Sequence, residues 1–106
     1  MTSRRTGSTK KWPLEGIKVL DLGQIYNGPY AGFLLAHAGA DVVKVEPLSG
    51  EVLRERGGGE VPLSFAMLNT NKRGITINLK ESKGKELLIR LAGEADVLLE
   101  NFAPGA

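Results

Sequence analysis

The sequence contains no cysteine. That excludes disulfide bridges, thiolate catalysis and cysteine-ligated metal, and agrees with a reducing compartment. No uninterrupted apolar run reaches the roughly 20 residues of a bilayer crossing, and the amino terminus lacks the apolar segment of a secretory signal. These absences make a cytoplasmic globular protein with no membrane partner the expectation. The only histidine, His37, falls near the end of a helical stretch. There it reads as a surface residue suited to the helix dipole rather than as a base.

At 106 residues, with 42% hydrophobic and 25% charged side chains, the chain is sized and composed for one compact domain with a single core. Its formal charge of +2 suggests a basic protein until the charges are located. Arg4, Arg5, Lys10 and Lys11 lie within residues 1–12, which hold no acid, so residues 13–106 carry ten basic and twelve acidic side chains, a net of −2. Residues 1–12 are therefore expected to be a solvated, disordered basic leader rather than a nucleic-acid-binding arm, and residues 13–106 the folded domain.

Within that domain, Gly16-Ile17-Lys18-Val19-Leu20-Asp21-Leu22 is a short aliphatic run stopped by Gly23, and predicts a strand. Asn27-Gly28-Pro29 opens a helix whose Tyr30, Phe33, Leu34, Leu35 and Ala38 carry the apolar spacing up to Gly39. Asp41 to Glu46 is a second strand, so the first unit is strand, helix, strand, the pattern of a parallel crossover. Residues 47–73 form a long connection with Gly57-Gly58-Gly59 and one short helical candidate from Pro62 to Leu68. A third strand over residues 74–79, a helix from Ser82 with Leu87, Leu88, Leu91, Ala92 and Ala95 on one face, and a fourth strand over residues 96–100 complete a second unit. The fold class is thus α/β, a Rossmann-like open parallel sheet of about four strands with flanking helices, and the simplest strand order is 3-2-1-4. Such sheets bind ligands beyond the carboxyl ends of the strands where the winding reverses, which directs attention to residues 23–29 and 101–106.

The turn from Gly23 to Pro29 offers backbone amides and a helix start to a phosphate, but its glycine spacing does not fit G-x-G-x-x-G. Glu46 ends the second strand, where a dinucleotide site wants an acid; the alternative is a solvated strand end. The succession Leu14-x-Gly16-Ile17-x-Val19-Leu20-Asp21-Leu22, Gly28-Pro29, Gly39-Ala40-Asp41-Val42-Val43-Lys44-Val45-Glu46, Asn71-Lys72-Arg73 and Glu100-Asn101-Phe102-x-Pro104-Gly105 resembles the start of the class III CoA-transferase family. That family includes formyl-CoA and carnitine-CoA transferases and, by relation, the α-methylacyl-CoA racemases.

The resemblance implies the amino-terminal portion of a coenzyme A-binding Rossmann-like domain, incomplete relative to the family, whose members interlock as homodimers. CoA or acyl-CoA enters as substrate beside a small carboxylic acid, with no permanently bound cofactor. The family's nucleophile is an aspartate that becomes an anhydride and then a CoA thioester. It belongs beyond residue 106, and Asp21, Asp41 and Asp96 do not match its motif, so no catalytic residue is expected in this chain. Position by position, the CoA contacts fall on Ile25, Tyr26 and Asn27, on Ile77, Asn78, Leu79 and Lys80, and on Asn101, Phe102 and Ala103. Lys80 would pair with a phosphate, Asn101 would hydrogen-bond and Phe102 would pack on adenine or ribose; the plainer readings are a solvated lysine and a core phenylalanine. The formyl-CoA branch has glutamine at the position of Tyr26 and arginine at that of Pro47, so that branch's substrate is not carried over to this chain. Asn71-Lys72-Arg73 is expected to be structural or interchain, at the sheet edge away from the crevice, unless the long connection folds back. The alternative to an enzyme portion is a stand-alone CoA-binding or interaction module.

Overall fold

The computed structural model describes residues 11–105. Most of the expected basic leader therefore lies outside the described residues. The elements are β1 (Lys18–Asp21), α1 (Asn27–His37), β2 (Asp41–Glu46), a 3-10 turn (Val52–Gly57), α2 (Leu63–Leu68), β3 (Arg73–Thr76), α3 (Ser82–Glu94) and β4 (Val97–Leu99). The four strands form one parallel sheet in the order β3-β2-β1-β4, as the connection lengths predict. β1 sits beside β2 with Asp21 opposite Lys44, a pairing that matters below.

Alternation along the strands divides the core in two. On one face Val19 and Val42 pack with Ala36 and Ala40 from the α1 region; on the other Leu20, Leu22, Val45 and Ile77 pack under Leu88, Leu91 and Ala92 of α3 and its C-cap Ala95. The α1 face changes character along the strands. It begins apolar at Val19 and Val42 and ends with the buried charges Asp21, Lys44 and Glu46 at the carboxyl edge.

Two expectations are corrected. α1 does not bury its large apolar residues: Gly28, Pro29, Gly32 and Ala36 face inward while Tyr30 and Leu34 stay exposed. The cause is close approach, because a Cβ on Gly32 would fall 2.5 Å from Asp21 Oδ2. Leu87 likewise turns outward, leaving the face of α3 to Leu88, Leu91, Ala92 and Ala95. The long connection is tied down: Leu53 and Phe65 are buried, and Glu51 caps the 3-10 turn by accepting from Leu53 N at 2.7 Å.

Candidate functional site

The turn between β1 and α1 closes on itself through glycine. A Cβ on Gly23 would lie 2.7 Å from the Gly28 backbone, and one on Gly28 would lie 2.6 Å from Gly23 Cα, so neither position has room for a side chain. Between them Ile25 takes φ 64, a left-handed conformation costly for a β-branched residue. The turn is held from the neighbouring strand β4 by Asn101, just past its end, whose Oδ1 accepts from Gln24 N at 2.7 Å while its Nδ2 donates to Gln24 O at 2.9 Å. Asn101 thus spends its amide on the protein backbone.

Three ion pairs lie behind this edge. Lys72 Nζ donates to Asp21 Oδ2 at 2.8 Å, with side-chain exposures of 1% and 0%, and also to Pro29 O and Asn69 Oδ1. Lys44 Nζ donates to Glu51 Oε1 and to Gly23 O, both at 3.1 Å. Arg54 grips Glu46 with two bonds of 2.6 and 2.9 Å and stacks over the Phe65 ring at 4.1 Å. Burial pushes the Lys72 ammonium below its ordinary value, and the Asp21 carboxylate offsets that only in part. At Glu46, burial raises the carboxyl, but the Arg54 hydrogen bond, the Glu51 amide and the charges of Arg54 and Lys44 together hold it below the usual value.

The expectations for two segments change accordingly. Glu46 is neither a solvated strand end nor free to hold a ribose, since its carboxylate is occupied by Arg54 and by Glu51 N. The expected structural role of Asn71-Lys72-Arg73 fits Asn71, whose Nδ2 donates to Ala36 O at 3.1 Å, and Arg73, which pairs with Asp41 in the open, but Lys72 does not stay at the edge. Lys72 instead reaches back across the sheet to Asp21, because the connection folds over the α1 face.

On the α3 side of the same edge lies a cavity of about 240 Å³. Its apolar walls are Leu22, Val45, Pro47, Val52, Ile77 and Leu79, with Phe102 and Lys80 also lining it. Glu46 and Glu51 touch it, but their charges are already matched. Of the sequence-derived positions, Ile77, Asn78, Leu79, Lys80 and Phe102 converge here. Lys80 is exposed, held in an Asx turn by its N–H donating to Asn78 Oδ1 at 3.0 Å, and Phe102 is a surface residue, not core. Ile25, Tyr26, Asn27, Asn101 and Ala103 do not line the cavity; the first three continue the turn from Gln24, which does. Leu22, Val45, Val52 and the paired charges were not anticipated. A signal for the charges existed: Lys44 and Glu46 sit two apart in a strand expected to be covered on both faces, so each needed a partner.

Comparison with known proteins adds the following. A family model described as CoA-transferase family III matches residues 14–106. The formyl-CoA:oxalate CoA-transferase of Streptomyces avermitilis is 51% identical over 96 residues, which cover 88% of this chain and 24% of that protein. Its namesake from Escherichia coli O6:H1 is 48% identical over 99 residues, covering 89% and 24%. Among solved structures, a CAIB/BAIF family protein from Brucella suis superposes with a TM-score of 0.82 at 40% identity, covering 88% of this chain and 26% of that one. A hypothetical protein from Mycobacterium tuberculosis gives 0.83 at 40% identity, covering 89% and 26%. The chain spans about a quarter of the length of the relatives it matches.

Proposed function

This chain belongs to CoA-transferase family III, and on that premise we propose that it forms the coenzyme A-binding part of an enzyme that moves CoA between an acyl-CoA and a small carboxylic acid. The carrying observation is the cavity at the carboxyl edge of β1 and β2: apolar walls, matched acids and one free-standing lysine, Lys80, at its lining. At about 240 Å³ it is below the ~300–1,000 Å³ of pockets that enclose a whole drug-sized ligand. It therefore takes one portion of CoA, the flat adenine against Leu79 and Phe102, while Lys80 meets a phosphate. Ile25, Tyr26 and Asn27 then face the thioester end, and Ala103 and Asn101 border the ligand's path.

CoA is a substrate here and not a resident group, and the enzyme works in the cytoplasm. No aspartate in this chain serves as its nucleophile. Asp21 is sealed against Lys72 and Gly23 N, Asp41 is bound to Arg73, and Asp96 accepts from Lys18 N at the opposite end of the sheet.

Isothermal titration with CoA tests the reading, and Lys80→Ala should weaken binding about tenfold or more, the size of one charge-assisted hydrogen bond. Unchanged affinity removes Lys80 from the site, and no CoA uptake by the unaltered chain removes the reading itself. A homodimer is part of the same proposal: Tyr30 and Leu34 form an exposed apolar row on α1 of the kind a partner covers. Sedimentation equilibrium should show association rising with concentration, and a monomer throughout would refute it.

A further inference from the structure

We propose that Lys44 and Lys72 are positioning residues for the coenzyme turn, two buried ammonium groups that hold the main-chain carbonyls at its two ends. Lys44 Nζ donates to Gly23 O at 3.1 Å and Lys72 Nζ donates to Pro29 O at 2.9 Å. Each cation brings its own counter-ion, Glu51 for Lys44 and Asp21 for Lys72, so the pins add no net charge beside an anionic ligand.

The turn needs such fixing. Gly23, Gly28 and Pro29 are buried, so carbonyls there require partners. Ile25 lies between the pins at φ 64, and a β-branched residue keeps that conformation only where its surroundings impose it. Asp21 serves both ends, since its Oδ1 accepts from Gly23 N at 2.7 Å while its Oδ2 accepts from Lys72. Stability alone does not call for the pairs, because buried ion pairs are commonly replaced by apolar side chains without loss. What apolar side chains cannot supply is a donor aimed at each carbonyl. The pins thus fix the backbone of residues 24–27 beside the cavity, and this part of the inference rests on the coenzyme A reading above.

The test uses this chain with paired substitutions, since Lys72→Met alone strands the Asp21 carboxylate and threatens folding. Asp21→Asn with Lys72→Met removes both charges and the Pro29 contact while keeping an oxygen for Gly23 N. Lys44→Met with Glu51→Gln does the same for the other pin. Amide hydrogen exchange resolved by residue should show Gly23, Gln24 and Tyr30 opening about tenfold faster in either variant, with β1 and β2 unchanged, and CoA affinity falling about tenfold, the loss of one charge-assisted bond. A merely structural role would speed exchange across the whole sheet and leave the turn no worse than the strands, which overturns the proposal. A loosened turn with unchanged CoA affinity overturns it as well. If the unaltered chain takes up no CoA, the coenzyme reading fails, and the exchange comparison alone decides whether the lysines fix the turn.

Discussion

Two glycines of α3 respond oppositely to the same substitution. By helix propensity alone, Gly→Ala in a helix interior gains about 0.8–1.0 kcal/mol. At Gly93 nothing lies within 4 Å of the added Cβ and the position is helical, so Gly93→Ala should gain about 0.5 kcal/mol, reduced from the full value because the helix ends at Glu94. At Gly84 the added Cβ would overlap the Asn78 carbonyl oxygen, lie 2.7 Å from its carbon and sit 3.3 Å from Ile77 Cγ2. The obstruction is backbone, which cannot rotate away as a side chain would. Overpacking of this kind costs about 1–3 kcal/mol, and an obstruction made of backbone lies toward the upper end, so after the propensity gain Gly84→Ala should lose up to about 2 kcal/mol net.

The site gives the second variant a further consequence. α3 rests on Ile77 and Asn78, and both line the cavity, so moving the helix outward displaces one wall. Urea unfolding followed by circular dichroism measures the stabilities, and CoA titration measures the wall. For a domain of this size each kcal/mol moves the thermal midpoint about 4–8 °C, so the two variants should separate clearly around the parent. Equal midpoints for the two alanine variants would refute the argument that close packing of α3 on residues 77–78 sets the sign.

Acid stability should depend on Glu46. Its folded value lies below the ordinary 4.5, so its stabilising contribution is complete above pH 4.5 and disappears as the pH falls through the lowered value. Glu46→Gln should therefore lower the thermal midpoint at pH 7 and flatten its fall below pH 4.5; parallel midpoint curves for variant and parent would contradict this. Ile25→Gly should lose less than about 1 kcal/mol despite removing a half-buried side chain, because release of left-handed strain returns about 1–3 kcal/mol. A loss above 2 kcal/mol, about what a buried large-to-small change costs, would show that the turn carries no such strain.

Sheet order was readable because period and connection length constrain topology, whereas side-chain faces depend on distances that sequence does not carry. The reading of α1 shows the difference. Tyr30, Phe33, Leu34 and Leu35 give the strongest apolar spacing, yet the helix lies so close over Asp21 that its buried residues are Gly28, Pro29, Gly32 and Ala36, with Leu35 packing against the core in part. Small residues carry little hydrophobic signal, so periodicity found Leu35 but missed the residues that are buried. Strand ends moved for local reasons: the third strand pairs only to Thr76, although Ile77 N still donates to Glu46 O at 3.0 Å before Asn78 turns the chain. Among the candidate contacts, residues 77–80 and Phe102 were found together because they follow strand ends on one sheet edge. Lys72 was misplaced because nothing local to Asn71-Lys72-Arg73 shows that the preceding connection folds back over α1.

The buried charges also decide between two accounts of the carboxyl edge. If that edge existed only to close the core, Asp21, Lys44 and Glu46 would be poor choices, since desolvating an ion costs several kcal/mol and apolar side chains fill the same space at no such cost. A network is favoured where the groups to be held are backbone atoms without apolar surface of their own. That is the situation here: the Gly23–Pro29 turn, with small buried residues at Gly23, Gly28 and Pro29, offers carbonyls and amides rather than side chains to pack against. Directional bonds from charged side chains can fix such a turn, and pairing each cation with a carboxylate keeps the edge electrically quiet. Among the described residues Lys80 then remains the one cation lining the cavity, so an anion approaching this edge meets its field rather than that of the buried pairs.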